Sequence, residues 1–335
     1  MITDARVLRA DFVPRDVEHR DSEVDALSAV LEPLASGEPS DPAILLGPSG
    51  AGKTCISQFT LEQLRQAVLD IEVQYVNCWQ NYSEYRVLYR VLEGLGKTID
   101  IHRQSTPRDE LLERLRQYDG PPCVVILDEA DQLEDKRMLY HLHSLPQFTL
   151  VLIANEEAEI FASADERVTS RFVGAERIQF DRYSVPELIA IMDARVRWGL
   201  QPDVVGEGTL RTIADVAAGD ARAALSILRN AARHADQKGV ERITPDLLEA
   251  AIPDARLEVR RKNVDTLTPH QRTLYELIEE TGTIDPAALY EEYRSRVENP
   301  KADRTVRNYL QKLARYNLIR IEGTSRDRRY CRVEY

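Results

Sequence analysis

The feature that most constrains the fold of this chain is a glycine-rich segment, Gly47–Thr54, with the sequence GPSGAGKT. It matches the pattern G-x-x-x-x-G-K-[ST] at every fixed position. In this pattern the glycines turn backbone N–H groups inward around phosphate oxygens, and the lysine, here Lys53, neutralises the β- and γ-phosphates. The apolar run Ala43–Leu46 precedes the segment and the helical stretch Cys55–Leu69 follows it. This order of strand, loop and helix favours a phosphate-binding loop over a chance glycine-rich turn.

A second motif supplies acidic side chains. The apolar run Cys123–Leu127 ends in Asp128 and Glu129, and one more strand-like segment, Glu72–Val76, separates it from the glycine-rich loop. We predict that Asp128 and the Thr54 hydroxyl hold Mg²⁺, because hard oxygen ligands suit this cation. The glutamate is then placed to polarise the attacking water. The extra strand is typical of phosphate-loop proteins that carry their own catalytic glutamate.

Further polar residues are candidates for the same site. Asn155 follows the buried run Leu150–Ala154, and we expect it to orient water beside the glutamate; the alternative is a simple turn residue. Either Arg167 or Arg171, with Arg171 the first candidate, is expected to reach the γ-phosphate of a neighbouring subunit. Arg222 is expected to contact the nucleotide from another direction. For each arginine the alternative is a solvated surface side chain.

The order of predicted elements divides the chain into three domains, residues 1–181, 182–255 and 262–335. The first alternates short apolar runs with helical stretches, which predicts an α/β core with a five-stranded parallel sheet. The second is entirely helical and forms an all-α lid. The third has the order helix, helix, helix, hairpin, which is that of a winged-helix domain. The predicted strands of the core are Ala43–Leu46, Glu72–Val76, Cys123–Leu127, Leu150–Ala154 and Arg177–Phe180.

Caps and turns set the predicted boundaries in the C-terminal half. Ser184 with Glu187 forms a capping box at the start of the lid. Thr244-Pro245 predicts the start of a short helix, and the charged stretch Arg256–Asn263 is interpreted as a linker. The hairpin strands are predicted at Leu318–Glu322 and at Arg329–Tyr335.

Charge is distributed unevenly along the chain. The formal net charge of the 335 residues is −12, but residues 256–335 contain 17 Lys and Arg against 13 Asp and Glu. A basic segment on an acidic body predicts that this segment meets a polyanion. Four cysteines and six histidines show no metal-ligand spacing, so we expect no zinc site. The apolar runs are too short to cross a bilayer, so we expect a cytoplasmic protein with no membrane partner.

The third C-terminal helix, predicted at Ala302–Tyr316, has two distinct faces. One face carries a core stripe of Val306, Leu310, Leu313 and Ala314. Arginine, asparagine and glutamine on the opposite face are the side chains that pair with base edges in the major groove. We predict phosphate or minor-groove contacts from the hairpin tip; the alternative is a solvated face or a protein-binding domain. The predicted DNA-binding residues are Arg304, Arg307, Asn308, Gln311, Arg315, Arg326 and Arg328.

The arrangement of these motifs resembles the archaeal origin-recognition and cell-division-control initiator ATPases, which are AAA+ proteins with a C-terminal winged helix. The resemblance covers nearly the whole chain. Three segments carry it beside the phosphate loop: Phe12–Pro14 with His19–Glu23, Phe180–Ser184, and Gly219–Leu225, which is similar to the second sensor of the family. Two others, Val76–Cys78 and Tyr85–Leu88, resemble the segment before a DNA-contacting insertion, which would fall between about Asn81 and Pro107.

This resemblance implies a function and a set of ligands. It implies a replication initiator that binds ATP or ADP with Mg²⁺, recognises double-stranded origin DNA and helps to load the replicative helicase, alone or with further initiator protomers. Hydrolysis would be slow and would act as a switch, in a cytoplasmic, nucleoid-associated protein. It places Val13, Pro14 and Tyr183 near the nucleotide. The full set predicted to bind the nucleotide is Val13, Pro14, Gly47, Pro48, Ser49, Gly50, Ala51, Gly52, Lys53, Thr54, Cys55, Tyr183 and Arg222.

Two other functions are compatible with the same motifs. A transcriptional or plasmid-maintenance regulator would bind DNA and have lost productive turnover, but Glu129 and Asn155 are both present and argue against a dead ATPase. A ring-forming motor would resemble branch-migration helicases, which also join an AAA+ module to a winged helix. The closer match at Gly219–Leu225 ranks the motor last.

Overall fold

The computed structural model describes residues 1–68, 70–99, 101–102, 106–162, 164–324 and 327–333. These residues form two compact units, Met1–Leu248 and Glu249–Tyr335. The predicted division of the first unit into a core and a lid at residue 181 lies inside one of these units and stays a prediction.

The first unit is built around a five-stranded parallel sheet, as predicted. The strand order is β2-β3-β4-β1-β5. Since all five strands are parallel, their carboxyl ends meet at one edge of the sheet, where the phosphate loop, Asp128 and Asn155 follow β1, β3 and β4. The strands are β1 (Ala43–Leu46), β2 (Glu72–Asn77), β3 (Cys123–Asp128), β4 (Phe148–Ala154) and β5 (Glu176–Gln179).

Helices cover both faces of this sheet. Every residue of β1, β3 and β4 is buried, which explains why these strands read as continuous apolar runs rather than alternating ones. Ile44 and Leu46 pack into the cluster on one face, and Ala43 and Leu45 pack into the cluster on the other. The helices are α1 (Asp21–Leu31), α2 (Lys53–Ala67), α3 (Glu84–Gly94), α4 (Arg108–Arg116), α5 (Arg137–His143), α6 (Glu157–Ile160) and α7 (Glu166–Arg171).

The remainder of the first unit is helical. The predicted capping box at Ser184 and Glu187 is present at the start of α8. The predicted apolar stripe of α10 is buried at Ala224, Leu225 and Leu228. The helices are α8 (Val185–Gly199), α9 (Glu207–Ala217), α10 (Ala221–Gln237) and α11 (Pro245–Asp265), of which the last continues into the second unit.

The second unit has the element order predicted for a winged helix. A capping box of Thr268 and Gln271 opens its first helix, and Asp285 caps the next by accepting hydrogen bonds from two backbone N–H groups. Its antiparallel sheet has the order β6-β8-β7. The elements are α12 (Pro269–Thr281), β6 (Thr283–Ile284), α13 (Pro286–Arg296), α14 (Asp303–Arg315), β7 (Ile319–Glu322) and β8 (Arg329–Arg332).

Two predictions about this half of the chain are wrong. The helix that begins at Pro245 is long rather than short, because it continues through Arg256–Asn263, the stretch interpreted as a linker. Arginine, lysine, leucine and glutamate are good helix formers, so a charged stretch of this composition has no reason to break the helix. The sequence also failed to indicate β6, which has only two residues and therefore shows no alternation.

Several predicted boundaries shift by one or a few residues. The helix after the phosphate loop begins at Lys53 rather than Cys55, so that Lys53 lies in its first turn. The insertion predicted between Asn81 and Pro107 contains α3, and its residues 100 and 103–105 lie outside the described residues. Arg326 and the end of the last predicted strand, residues 334–335, also lie outside them. In the described part of the chain, no helix combines the length and the apolar character that a bilayer span needs.

The two faces of α14 generate a prediction. Leu310 is fully buried, whereas its neighbour Gln311 is exposed. We expect Leu310→Ala to lower the free energy of opening of the second unit by about 2–5 kcal/mol, because it removes buried methyl groups and leaves a cavity. Gln311→Ala should change it by less than about 0.5 kcal/mol. Hydrogen exchange of the α12 and α14 amides, read by mass spectrometry, measures both; equal protection in the two variants would contradict the assigned faces.

Candidate nucleotide site and DNA-recognition helix

The carboxyl edge of the parallel sheet opens into a cavity of about 990 Å³. This volume is at the upper end of the range usual for small-molecule sites. Of the residues predicted from the sequence, the lining includes Pro14, Ser49, Gly50, Ala51, Gly52, Lys53, Thr54, Cys55, Asp128, Glu129, Asn155, Tyr183 and Arg222. Residues from distant parts of the sequence thus meet at one site.

The phosphate loop depends on its glycines for two reasons. Gly47, Gly50 and Gly52 have φ values of 144°, 76° and 97°, a region that side chains other than glycine rarely adopt. There is also no space for a side chain, because a Cβ at Gly47 would overlap the carbonyl oxygen of Phe180 and one at Gly52 would overlap the Tyr183 hydroxyl. The loop therefore packs directly against the segment that leads into α8.

Lys53 is buried inside the loop that it is predicted to serve. Its ammonium group donates to the carbonyl oxygens of Gly47 at 2.6 Å and of Pro48 at 2.8 Å. Burial lowers the pKa of Lys53 to about 8, although the carboxylates of Glu129 and Asp128 favour its charged form. A phosphate would be a charged partner for this ammonium and would form stronger hydrogen bonds than the two neutral carbonyls.

Asp128, at the end of β3, accepts hydrogen bonds from two side-chain hydroxyls. The Thr54 hydroxyl donates to its Oδ2 at 2.8 Å, and the Tyr75 hydroxyl donates to the same oxygen at 2.7 Å. Burial and the neighbouring carboxylate raise the pKa of Tyr75, so the phenol stays protonated as a donor. The hydroxyl of Thr54 and the carboxylate of Asp128 lie beside Lys53 and are both oxygen ligands, so the residues present fit Mg²⁺.

Glu129 occupies an unusual backbone conformation. Its φ of 58° and ψ of 45° lie in the left-handed region, which is uncommon for residues other than glycine and is concentrated at functional sites. The side chain lies in the cavity lining together with Asn155. The backbone of Asn155 also contacts the phosphate loop, because its carbonyl accepts a hydrogen bond from Gly47 N at 3.2 Å.

The phosphate loop is bonded directly to the start of α10. Ala221 N donates to Gly50 O at 3.1 Å, and the Asp220 carboxylate caps the helix by accepting from Ala223 N at 3.0 Å. A Cβ at Gly50 would overlap that carboxylate. Arg222 follows at once and lines the cavity. Any shift of α10 therefore acts on the loop at Gly50 and on the position of Arg222.

Two buried arginines hold the N-terminal segment in place through hydrogen bonds to backbone carbonyls. No role was predicted for either arginine from the sequence. Arg20 lies 4.2 Å from the ring centre of Tyr183, donates to Asp181 O at 2.6 Å and pairs with Glu23. Arg195 of α8 donates to the Phe12 carbonyl at 3.0 Å and to that of Val7 at 3.3 Å. Arg20 lies within the N-terminal segment that carried the family resemblance. Arg195 carries no signal in the sequence, because a helical arginine is ordinarily exposed.

Four of the residues predicted for the site lie outside the cavity lining found among the described residues: Val13, Gly47, Pro48 and Arg171. Gly47 and Pro48 lie behind it and accept from Lys53. Arg171 is exposed and its guanidinium lies 5.4 Å from the ring centre of Tyr140. Arg167 is exposed on the same helix. That either arginine reaches the γ-phosphate of a neighbouring subunit stays a prediction.

The DNA-recognition helix predicted in the second unit is α14. Its core stripe is buried at Val306, Leu310 and Leu313, while Ala314 is half-buried. Lys312, which the sequence did not place in the core, is also buried, with its ammonium 5.4 Å from the ring centre of Tyr316.

The opposite face of α14 is open to solvent. Arg328, predicted to contact DNA from the hairpin, is half-buried, and Arg326 lies outside the described residues. All five predicted base-contacting residues of the helix are exposed: Arg304, Arg307, Asn308, Gln311 and Arg315.

Comparison with known proteins finds two family models that match the chain. A family model described as an AAA domain matches residues 39–160, and one described as a Cdc6 AAA+ ATPase-type lid domain matches residues 189–253. The chain is 54% identical over 334 residues to ORC1-type DNA replication protein 9 of Halobacterium salinarum, covering 100% of this chain and 94% of the relative. It is 54% identical over 308 residues to ORC1-type DNA replication protein 1 of the same organism, covering 92% and 100%.

A solved structure gives the same result. The structure of the Aeropyrum pernix ORC1 protein in complex with DNA superposes with a TM-score of 0.77 at 26% identity, covering 99% of this chain and 93% of the other. The family resemblance found in the sequence is therefore confirmed.

The contact between Gly50 and α10 can be tested with two matched glycines. Gly37 and Gly50 have nearly the same φ, 73° and 76°, but a Cβ at Gly37 meets nothing within 4 Å. We expect both alanine variants to lose about 1–2 kcal/mol of stability, the cost of the left-handed region for an L-residue. Gly50→Ala should lose more, and it alone should weaken nucleotide binding. Thermal unfolding and calorimetric titration measure this; equal losses, with wild-type nucleotide affinity in Gly50→Ala, would refute it.

Proposed function

Because the chain belongs to the family of ORC1-type DNA replication proteins, we propose that it is an ATP-switched replication initiator. It binds origin DNA through its second unit and helps to load the replicative helicase. The observation that carries the switch is the hydrogen bond from Ala221 N to Gly50 O, which joins the phosphate loop to α10. Membership of the AAA+ family supports ATPase activity.

Different cavity residues bind the phosphates, hold the cation and orient the attacking water. Lys53 and the inward-turned N–H groups of Gly50 and Gly52 bind the phosphates. Mg²⁺, when bound, neutralises phosphate charge and orients the reacting oxygens. Thr54 and Asp128 hold this cation, and Glu129 and Asn155 orient the attacking water.

The output of the site is a change of state rather than rapid turnover. A ligand shifts an equilibrium only through contacts that differ between the two states. Arg222 supplies such a contact, because it enters the cavity from the helix whose first N–H is bonded to the loop. ATP favours one position of α10 and ADP another, and slow hydrolysis resets the protein.

The second unit recognises the DNA sequence. The five exposed side chains of α14 include three arginines, an asparagine and a glutamine, which pair with guanine and adenine edges. Arg326 and Arg328, predicted at the tip of the hairpin, contact the phosphate backbone, which positions the protein but does not specify sequence. The related protein of Aeropyrum pernix was solved in complex with DNA, which supports this proposal.

The remaining partners follow from this function. Further initiator protomers on the same DNA would bring Arg171, or alternatively Arg167, towards the nucleotide of a neighbour. The protein resides in the cytoplasm, bound to the nucleoid, because its DNA partner is there.

Glu129→Gln tests the catalytic assignment. The substitution keeps the size of the side chain and removes the base, so we expect nucleotide affinity to persist while hydrolysis falls by about 10²–10⁴-fold. Calorimetric titration gives the affinity, and phosphate release gives the rate. Lys53→Ala is the control, since it should lose binding itself; a Glu129→Gln protein that still hydrolyses ATP at the wild-type rate would remove the glutamate from the mechanism.

Genome-wide mapping of the DNA that the protein occupies in its own cells tests the function itself. We expect one or a few sharp peaks at replication start sites. Peaks spread over promoters would favour the alternative of an ATP-switched transcriptional or plasmid-maintenance regulator. An absence of sequence-defined peaks would favour a motor.

A variant pair makes this map specific to α14. Arg307→Ala should lose the peaks, because one bidentate base contact is worth about 1–3 kcal/mol of discrimination. Arg320→Ala removes the same charge from β7, where the arginine is exposed and pairs with Glu322, and should keep the peaks. If both variants weaken all peaks equally, Arg307 contacts phosphate rather than bases.

A further inference from the structure

Tyr75 lies on β2, which is the edge strand of the parallel sheet. As a whole residue Tyr75 is 41% exposed, whereas the next residue of the strand, Val76, is 2% exposed. The hydroxyl nevertheless turns inward and donates to Asp128 Oδ2 at 2.7 Å. Tyr75 is therefore an exposed residue whose hydroxyl donates a hydrogen bond to a carboxylate of the candidate cation site.

Packing does not account for a tyrosine at this position. A residue that stabilised the core here would be buried, as Val76 is. The specific feature of Tyr75 is therefore its charge-assisted hydrogen bond to a carboxylate.

The carboxylate that receives this bond is held from several sides. Thr54 Oγ1 and Tyr75 Oη both donate to Oδ2, at 2.8 Å and 2.7 Å. The main chain of Asp128 is fixed as well, because its carbonyl accepts from Cys78 N at 2.8 Å. Two donors on one oxygen fix the rotation of the carboxyl group about its bonds. Carboxylates that bind metals are commonly oriented by hydrogen bonds of this kind.

We propose that Tyr75 is a positioning residue of the magnesium–nucleotide site, which orients the Asp128 carboxylate through its hydroxyl. The inference rests on the proposed binding of ATP with Mg²⁺ by Thr54 and Asp128. Tyr75 touches neither the nucleotide nor the reacting atoms and acts only through Asp128.

The test is the magnesium dependence of nucleotide affinity, measured with a fluorescent ATP analogue in excess Mg²⁺ and again in EDTA. The ratio of the two dissociation constants is the contribution of the cation. We expect Tyr75→Phe to reduce this ratio by about 3–10-fold, which is below the roughly 10–100-fold typical for loss of a hydrogen bond to a metal ligand, since Mg²⁺ keeps much of its water. The affinity in EDTA should not change.

Tyr85→Phe is the matched control. Tyr85 lies on α3, and its buried hydroxyl has no hydrogen-bond partner among the described residues, so its removal should leave the ratio at the wild-type value. Neither change removes a ring carbon, so both variants should stay folded in EDTA, and Tyr75→Phe should lose only the few degrees that one charge-assisted hydrogen bond contributes.

Each other outcome overturns the inference. An unchanged ratio in Tyr75→Phe would mean that the hydroxyl does not orient the carboxylate for the cation. An equal loss of affinity with and without Mg²⁺ would mean that Tyr75 has a structural role. A wild-type protein whose nucleotide affinity ignores Mg²⁺ would overturn the proposed magnesium site together with the role of Tyr75.

Discussion

The architecture of the nucleotide site depends on one point of contact, the hydrogen bond from Ala221 N to Gly50 O. The phosphate loop follows β1, and α10 begins more than 160 residues later, yet the two backbones meet here without an intervening side chain. Only glycine permits this approach, because a Cβ at Gly50 would overlap the Asp220 carboxylate that caps α10. The Asp220 carboxylate thus caps the N-terminus of α10 and also excludes any residue larger than glycine from position 50 of the loop.

Charge inside the cavity follows from this packing. Lys53 lies where burial disfavours its charge, and Asp128 and Glu129 partly compensate while Arg222 adds to the cost. Removing a charged group from water is unfavourable unless partners replace the water, and two loop carbonyls provide only neutral partners. A site built in this way gains most from a ligand that brings several negative charges.

The sequence was sufficient wherever a local pattern dictates a local structure. The strands β1, β3 and β4 were predicted because buried parallel strands are continuous apolar runs, and the faces of α14 because a helix repeats every 3.6 residues. The sequence was insufficient where a side chain acts across distant segments. Nothing in the neighbours of Tyr75 or Arg195 indicates that one reaches Asp128 and the other reaches the carbonyls of the N-terminal segment.

The strand β2 connects the candidate cation site to the stretch where the DNA-contacting insertion is predicted. Tyr75 and Cys78 both donate to Asp128, one to its carboxylate and one to its carbonyl. Between them the Asn77 side chain accepts from the backbone N–H groups of Trp79, at 3.1 Å, and of Gln80. From Tyr75 to Gln80, the chain between the candidate cation site and the segment that begins near residue 81 is therefore held by hydrogen bonds.

The C-terminal end of that segment is also held by hydrogen bonds. Arg108, at the start of α4, donates to Glu84 at 2.9 Å, and His141 Nδ1 lies 2.8 Å from the other oxygen of the same carboxylate. Glu84 is buried, so this pairing is less screened by solvent than a surface ion pair. Both ends of the stretch between Glu84 and Arg108 are thus held at one carboxylate, while β2 holds its base at Asp128. The strand β2 is therefore a hydrogen-bonded connection between Asp128 and the base of this segment.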